Sequence, residues 1–282
     1  MNLKEEYFNM AIKTLFVQDN SSKDKYIELL TIMTQYLYQS LNIHHLYRYR
    51  PDSWERDKNL FNEDEVWFQP MDKQNDPFEF SFKMKSCNEL SSFTSERYIA
   101  SFLNLNSFVE SSIDFLCQQF ENSKTKYSIA CFCEKKDNIL LWSHYANSHK
   151  GYCIEYSTID ILNTFQCCLL PVIYQSNIPG LIDLVSNNIE IELLPYYIAL
   201  KSITSKSNLW EYEQEWRIIH SHETGKEKVK FPKPRAVYIG CNATDKLELN
   251  LKNACQEKNI PIFKMKKNDM EYKLDCIPIN NS

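Results

Sequence analysis

The chain has 282 residues, of which 43% are hydrophobic and 13% aromatic, so it is long enough to bury a substantial core. Its 32 basic and 37 acidic residues give a net charge of −5, which offers no electrostatic basis for tight binding to duplex nucleic acid. Only 4 glycines are present. They form neither a Rossmann fingerprint nor a P-loop, because both motifs need clustered glycines next to phosphate.

The beginning of the chain is predicted to form two helices. Apolar residues recur at helical spacing over residues 23–41, behind a short polar stretch that is typical of a helix start. We therefore expect a helical N-terminal extension over residues 1–43. A single α+β domain is expected to follow it over residues 44–282.

Short helices and short strands then alternate irregularly. Period-two alternation or compact apolar runs predict strands at residues 46–50, 65–68, 128–133, 152–156, 169–174, 213–220 and 235–239, with a closing pair within 261–276. Helical spacing predicts helices at residues 53–61, 93–122, 139–146, 189–206 and 244–258. The order lacks the repeated strand–helix rhythm of a doubly wound sheet. We therefore predict an α+β fold with a mixed, mostly antiparallel sheet, flanking helices and a helical N-terminal subdomain.

The ten cysteines do not follow a pattern of zinc ligands or of a disulfide scaffold. Several of them, such as Cys131, Cys133 and Cys153, lie within apolar runs, where a thiol behaves as a small buried hydrophobic group. The first residues contain no apolar signal core, no paired Cys-x-x-Cys knuckles occur, and no stretch approaches the ~20 apolar residues that span a bilayer. We therefore expect reduced and mostly buried thiols, a cytoplasmic location, no membrane association and no metal site.

The most distinctive segment runs from Trp210 to Ile219 and carries three carboxylates, two tryptophans and an arginine. In a strand, alternate side chains share a face, so Glu211, Glu213, Glu215 and Arg217 are expected on one side. Like charges on one face repel, and burying any of them is costly unless it is paired. The segment is therefore either a charged surface strand packed on its tryptophans or a strand whose carboxylates bind a ligand.

Four ordered blocks of the sequence resemble a bacterial family known as domain of unknown function 2971. The blocks are residues 46–50 (LYRYR), 75–79 (NDPFE), 131–156 (with CFC, LLWSHYA and HKG) and 210–217 (WEYEQEWR), followed by a strand at 237–240 (VYIG). The similarity covers most of residues 44–241. It implies a bacterial protein and indicates no particular chemistry, since the family is named for the absence of a known function.

The same blocks are similar, more distantly, to the ADP-ribosyltransferase superfamily. Its members place an Arg or His on an early strand, a Ser, Thr or Tyr on a middle strand and a catalytic Glu, often within Glu-x-Glu, on a late strand. The corresponding residues here are Arg48, then Ser143 or Tyr145, then Glu213 with Glu215. The Ser-Thr-Ser triplet of that superfamily is absent, and both middle residues lie in a predicted helix. The resemblance implies an ADP-ribosyltransferase-like cleft.

The resemblance also implies NAD⁺ as the substrate of an ADP-ribosyltransferase or NAD glycohydrolase, acting as a toxin or phage-defence effector. Glu213, Glu215 and Tyr145 would be the catalytic residues. One carboxylate would stabilise the oxocarbenium-like transition state while the other activates the acceptor. Which glutamate has which role stays open.

The resemblance further implies a set of residues that bind NAD⁺. They are Tyr47, Arg48, Tyr49, Asn75, Asp76 and Ser143. Arg48 would bind the pyrophosphate through its planar fork of donors, and one of the tyrosines would stack on nicotinamide. A structural alternative for Arg48 is an ion pair with one of the two glutamates. For Asp76 the alternative is an Asx-type turn.

Two other functions fit the same residues. The chain is alternatively a non-catalytic module that binds a ligand or a protein partner, with Glu213 and Glu215 pointing to water. It is alternatively a metal-dependent nuclease or another hydrolase, whose acidic groups would converge on a metal ion. The expected partners are a small-molecule nucleotide and a protein or nucleic-acid acceptor. We predict that Arg48, residues 75–76, Tyr145 and the two glutamates surround one concave site.

Overall fold

The structure is a computed structural model that describes residues 3–20, 23–83, 118, 127–165, 169–180, 194–221 and 228–279. The helix predicted at residues 93–122 lies outside these ranges except for residue 118. The first part of the helix predicted at residues 189–206 also lies outside them. The remaining predicted elements fall within the described ranges.

Helices flank the sheet along the described chain. They are Leu3–Asn20 (α1), Lys23–Gln35 (α2), Trp54–Glu63 (α3), Ile139–His144 (α4), Thr158–Phe165 (α5), Leu194–Thr204 (α6) and Asp245–Lys258 (α7). A π-helical turn, Tyr36–Ser40, continues α2, and 3₁₀-helices form at Met71–Lys73 and Asn208–Glu213.

The strands are short. They are His45–Arg50 (β1), Glu65–Trp67 (β2), Gln69–Pro70 (β3), Tyr127–Cys133 (β4), Tyr152–Ser157 (β5), Leu169–Pro171 (β6), Ile173–Gln175 (β7), Ser205–Ser207 (β8), Glu215–Ser221 (β9), Lys228–Lys230 (β10), Ala236–Ile239 (β11), Ile262–Lys267 (β12) and Leu274–Pro278 (β13).

Within the described residues, the main sheet has nine strands in the order β13-β12-β11-β5-β1-β4-β9-β6, with β3 paired to β4 beside this path. All its pairings are antiparallel except the one between β11 and β12. Two small sheets, β2 with β10 and β7 with β8, lie apart from it. Strand β11 is buried at all four residues, which explains why it appears in the sequence as an apolar run. The structure confirms the predicted α+β fold with a mostly antiparallel sheet.

The first two helices pack on this sheet. Tyr7 and Phe8 of α1 and Met33 of α2 are buried in the same hydrophobic core as Trp216 of β9. The ring of Tyr7 meets the indole of Trp216 edge to face, with 5.3 Å between the centroids. The N-terminal helices therefore build part of the core of the sheet.

The strand predicted at residues 213–220 begins two residues later than expected, at Glu215. The preceding residues form the 3₁₀-helix Asn208–Glu213, which is capped by the Ser207 hydroxyl. Gln214 then adopts a left-handed backbone with φ of 46°, which is uncommon for a residue other than glycine. This conformation separates the helix from the strand, so the prediction that Glu213 lies in a strand is wrong.

Among the described residues, no helix is both long and apolar enough to cross a membrane. Of the cysteines in these ranges, Cys133, Cys153 and Cys255 are buried, while Cys276 is exposed. Burial raises the pKa of the Cys133 and Cys153 thiols well above the ordinary value. These thiols therefore behave as packing groups at neutral pH.

Candidate active site

A cavity of about 110 Å³ opens over the middle of the main sheet, at strands β1, β4 and β9. We call it the central cavity. Its lining residues are Tyr47, Tyr49, Gln74, Asn75, Glu79, Cys131, Phe132, Cys133, Leu141, Tyr145, Lys206, Glu213, Glu215 and Arg217. A protein cavity of ~150 Å³ can accept one benzene ring. The central cavity is smaller than that, so it can take up part of one ring of a ligand.

Tyr47 and Tyr49 reach the cavity together because alternate side chains of a strand share one face. The Tyr49 hydroxyl donates to the carbonyl of Lys135 at 2.9 Å, and its ring packs edge-on against Trp142, 5.2 Å between centroids. The ring of Tyr47 lies edge-on to Tyr238 at 6.3 Å. These contacts fix both tyrosines as an aromatic wall of the cavity.

Strand β9 brings Glu215 and Arg217 to the same cavity, again because they are two residues apart. In register with them on β4 lie Cys133 and Cys131, respectively. Trp216, between the two charged residues, points to the opposite face and into the hydrophobic core. The predicted sharing of one face by Glu215 and Arg217 is thus confirmed.

Arg217 is the centre of a buried ion network and is 1% exposed. Its Nη1 and Nη2 donate to the two carboxylate oxygens of Glu79 at 2.7 and 2.8 Å. Its Nε and Nη2 donate to the two oxygens of Glu215 at 2.8 and 3.0 Å. Nη1 also donates to the carbonyl of Ile203. These bonds use all five donors of a guanidinium, so Arg217 has no donor left for a ligand.

Lys206 of β8 supplies the second cation of the network. Its Nζ lies 2.6 Å from Glu213, 3.1 Å from Glu215 and 3.3 Å from Glu79. The ammonium also lies 5.0 Å from the ring centroid of Trp210. Three carboxylates and two cations thus meet in one buried cluster. Its formal charge is −1 when every group is ionised.

Glu213 connects this network to Tyr145. The Tyr145 hydroxyl donates to Glu213 Oε1 at 2.6 Å, and Asn75 is hydrogen-bonded to Tyr145. Asn138 caps α4 through its side-chain oxygen, and its side-chain nitrogen donates to the carbonyl of Tyr212 at 2.8 Å. The helix that ends at Tyr145 is therefore held against the turn that carries Glu213.

The two glutamates have pKa shifts of opposite direction. Burial raises the pKa of Glu213; repulsion from Glu215 adds to this effect, and attraction to Lys206 opposes it. Burial also opposes the ionisation of Glu215, but Arg217 and Lys206 outweigh it and lower the pKa of Glu215 to about 2. At neutral pH Glu215 is a permanent anion. Glu213 is the member of the pair whose pKa is moved towards neutrality, as expected of a proton acceptor.

Predicted site residues from distant parts of the sequence meet at the central cavity. Those that line it are Tyr47, Tyr49, Asn75, Tyr145, Glu213 and Glu215. They come from β1, from the loop after the 3₁₀-helix Met71–Lys73, from the end of α4, from the 3₁₀-helix Asn208–Glu213 and from the start of β9. All three predicted catalytic residues are in this group.

Arg48, Asp76 and Ser143 do not line the central cavity, contrary to the prediction. Arg48 points to the other face of β1, where its Nη2 donates to the carbonyl of Trp67 at 2.6 Å. Asp76 Oδ1 accepts from the backbone N–H of Phe78 at 2.9 Å, which is the Asx-type turn considered as its alternative. The Ser143 hydroxyl donates to a carbonyl of its own helix at 2.8 Å.

The sequence prediction did not place Glu79, Lys206 or Arg217 among the site residues. Arg217 lies in WEYEQEWR and Glu79 in NDPFE, so the requirement that buried carboxylates be paired is a signal that could have indicated both. Lys206 has no comparable signal, because it is an isolated basic residue at the end of a predicted helix. The structure instead places it in β8.

The carboxylates of the cavity bind cationic side chains of the protein itself. In the part of the chain that the structure describes, no group of three or more His, Cys, Asp or Glu side chains is arranged to hold a metal ion. Glu79, Glu213 and Glu215 instead share Lys206 and Arg217. These five ionisable side chains are therefore the groups of the cavity that can exchange protons or stabilise charge.

The segment from α4 to β9 contributes most of this charged network. Residues 141–218 match the model of a family described as Protein of unknown function (DUF2971). The matched stretch contains Tyr145, Lys206 and both cavity glutamates of β9 and its preceding turn. Residues 46–50 and 75–79, the first two of the four sequence blocks, precede it. No curated protein and no solved structure matches the chain.

Proposed function

We propose that the chain is an enzyme that cleaves the nicotinamide–ribose bond of NAD⁺, as an NAD glycohydrolase or an ADP-ribosyltransferase. The observation that supports this proposal best is the pair Glu213 and Glu215. Both carboxylates line one cavity and contact one ammonium, yet their pKa values are displaced in opposite directions. Because the two pKa values differ in this way, Glu213 can exchange a proton while Glu215 stays charged. Consumption of NAD⁺ would suit a bacterial toxin or phage-defence effector.

In the proposed reaction, the bond between ribose C1′ and the nicotinamide nitrogen breaks, and nicotinamide leaves with the bonding electron pair. The positive charge that develops on the ribose is attracted by the negative charge of the network. Water or an acceptor group then attacks C1′, and Glu213 takes the proton that this nucleophile loses. Tyr145 donates to Glu213 at 2.6 Å and so orients the carboxylate for this transfer.

The lining of the central cavity supports recognition of a single ring, because Tyr47 and Tyr49 form an aromatic wall. The volume of about 110 Å³ is smaller than the ~150 Å³ of a cavity that accepts benzene, so a ring would enter only in part. The nicotinamide ring would lie against the two tyrosines in this way. The rest of the dinucleotide would lie outside the mouth, near Gln74 and the exposed Asn75. Arg48 has no part in this arrangement, since it lies on the other face of the sheet.

The test is to incubate the purified chain with NAD⁺ and to measure nicotinamide release by chromatography. Glu213→Gln keeps the shape of the side chain and removes its ability to accept a proton, so we expect the rate to fall by about 10²–10⁴-fold. Glu211→Gln is the matched control, because it makes the same change at an exposed position of the same 3₁₀-helix. It should retain the wild-type rate.

The proposal fails if the folded wild-type protein releases no nicotinamide. It also fails if Glu213→Gln and Glu211→Gln have equal rates while circular dichroism shows both to be folded. An added peptide or nucleic-acid acceptor separates the two activities, since a transferase labels the acceptor and a glycohydrolase releases free ADP-ribose.

The saturation of the two cations favours a second candidate, a ligand-binding protein without catalysis. Every donor of Arg217 is bonded to an oxygen of the protein, and Lys206 contacts three carboxylates. The cluster therefore also fits a rigid surface against which a ring binds. This candidate predicts that NAD⁺ binds, as measured by calorimetry, without any nicotinamide release. Glu213→Gln would then change the dissociation constant alone.

A further inference from the structure

Arg48 is a buried cation that forms no ion pair with a carboxylate of the described residues. The residue is 7% exposed, and its guanidinium carbon lies 5.6 Å from the ring centroid of Phe132. Nη2 donates to the carbonyl of Trp67 at 2.6 Å, whereas Nη1 is buried and has no hydrogen-bond partner among the residues that the structure describes. Burying an unpaired charge costs several kcal/mol, so such a group in a folded protein calls for a compensating partner.

The carboxylate of Asp57 attracts Arg48 electrostatically, but it is already bonded to other groups. Asp57 accepts from Arg50 at 3.0 and 2.5 Å, from Ser53 at 2.7 Å and from Tyr152 at 2.8 Å. Arg56 also approaches Asp57, at 3.4 Å. These bonds occupy the lone-pair directions of both carboxylate oxygens. Asp57 therefore neutralises Arg50 and has no free acceptor for a further arginine.

Arg48 instead lines a small cavity of about 20 Å³ on the face of β1 opposite the central cavity. We call it the Arg48 cavity. Four basic and two acidic residues line it: Arg48, Arg50, Arg56, Lys228, Asp57 and Glu65. Glu65 is shared with Lys230, 3.5 Å away. The basic excess and the unbonded Nη1 both favour a negatively charged occupant.

We propose that the Arg48 cavity binds a small oxyanion, a phosphate group, with one oxygen accepting from Nη1 of Arg48. About 10–15 Å³ holds one water-sized atom, so a space of this volume admits an oxygen and not a whole phosphate. The remaining oxygens would lie at the mouth, near Arg56, whose side chain is 50% exposed, and near the exposed Lys228. A water molecule in the same space would bond Nη1 but would leave the charge of Arg48 uncompensated.

The site is independent of the proposed NAD⁺ chemistry. Tyr47 and Tyr49 face the central cavity while Arg48, between them, faces the other way. A phosphate bound at Arg48 is therefore separated from the glutamate network by the sheet itself. Binding there would be detected whether or not the central cavity is catalytic.

The experiment is calorimetric titration of sodium phosphate into the full chain at constant ionic strength, because salt screens charge interactions. Sodium acetate in a parallel titration tests whether a carboxylate binds equally well. We expect saturable phosphate binding. Arg48→Met should weaken it by about tenfold or more, since a hydrogen bond to a charged group is lost. Lys228→Gln, at an exposed position, should weaken it about two- to fivefold.

Lys266→Gln is the matched control, because it removes the same charge from an exposed position of β12 that does not line the cavity. It should leave phosphate binding unchanged. If Arg48→Met does not fold, the phosphate affinities of Lys228→Gln and Lys266→Gln are compared instead to test the proposal. The proposal is overturned if the wild type shows no saturable binding, if acetate binds more tightly than phosphate, or if the Lys228 and Lys266 variants bind phosphate equally.

Discussion

Replacing Arg217 by methionine should destabilise the fold severely. The substitution removes five hydrogen bonds and leaves Glu79 and Glu215, whose side chains are 4% and 7% exposed, without their main cation. Breaking a buried ion pair in this way costs about 3–5 kcal/mol. Lys206 still contacts both carboxylates, at 3.3 and 3.1 Å, which favours the lower part of that range. Such a loss is a large fraction of a typical unfolding free energy of about 5–15 kcal/mol.

The measurement is urea unfolding monitored by tryptophan fluorescence, with Arg235→Met as the control. Arg235 forms an ion pair of 2.7 Å with Asp160, but its side chain is 56% exposed, so the control should lose at most about 1 kcal/mol. Glu79→Gln combined with Arg217→Met should be less destabilising than the sum of the single changes, because both act on one network. If the two arginine variants lose equal free energy, the network does not stabilise the fold.

Three further outcomes follow from the geometry. The folded-state pKa of Glu215, about 2, lies below its ordinary value of 4.5. Glu215 therefore stabilises the fold above about pH 4.5 and loses this contribution as the pH falls towards 2, and Glu215→Gln should flatten that acid loss in urea titrations. Tyr145→Phe removes a hydrogen bond that favours ionised Glu213, so the pKa of Glu213 should rise and the acid limb of the pH–rate profile should move to higher pH. Gly240→Ala should cost about 1–3 kcal/mol of unfolding free energy, because the added Cβ would lie 2.1 Å from a backbone oxygen. Gly180→Ala, whose nearest contact is 3.4 Å, should be tolerated in the same assay.

Glu215 has a structural role that complicates any test of its part in the reaction. A loss of activity in Glu215→Gln does not by itself indicate a role in the reaction, since the side chain holds both Arg217 and Lys206. Glu213 is the better probe of chemistry. Glu213 is bonded to Tyr145 and Lys206. Changing Glu213 therefore leaves the hydrogen bonds of Arg217 to Glu79 and Glu215 intact.

The parts of the fold that the sequence predicted well depend on local patterns. Alternation along a strand is such a pattern, and it correctly places Glu215 with Arg217 on a shared face. Caps are equally local, as the Thr244 hydroxyl at the start of α7 illustrates. Each of these features is decided by residues within a few positions of one another.

The features of the site that could not be predicted depend on how elements distant in the sequence pack against one another. Alternation separates Arg48 from its tyrosine neighbours but does not say which face of β1 the cavity will occupy. Lys206 reaches the network from β8, a strand of a separate small sheet, so only the packed structure shows it beside Glu213. The left-handed backbone of Gln214 also has no signal, because its residue type does not favour that conformation.

Strand β9 makes aromatic contacts on one face and ion pairs on the other. On one face Tyr7 of the first helix covers Trp216, and on the other Arg217 ties the neighbouring Glu215 to Glu79. A chain lacking α1 would expose an indole directly behind the ionic cluster and admit water to the strand that anchors it. The first helix thus keeps water from the apolar face of the strand whose other face carries the ion network, and a low local dielectric strengthens such ion pairs.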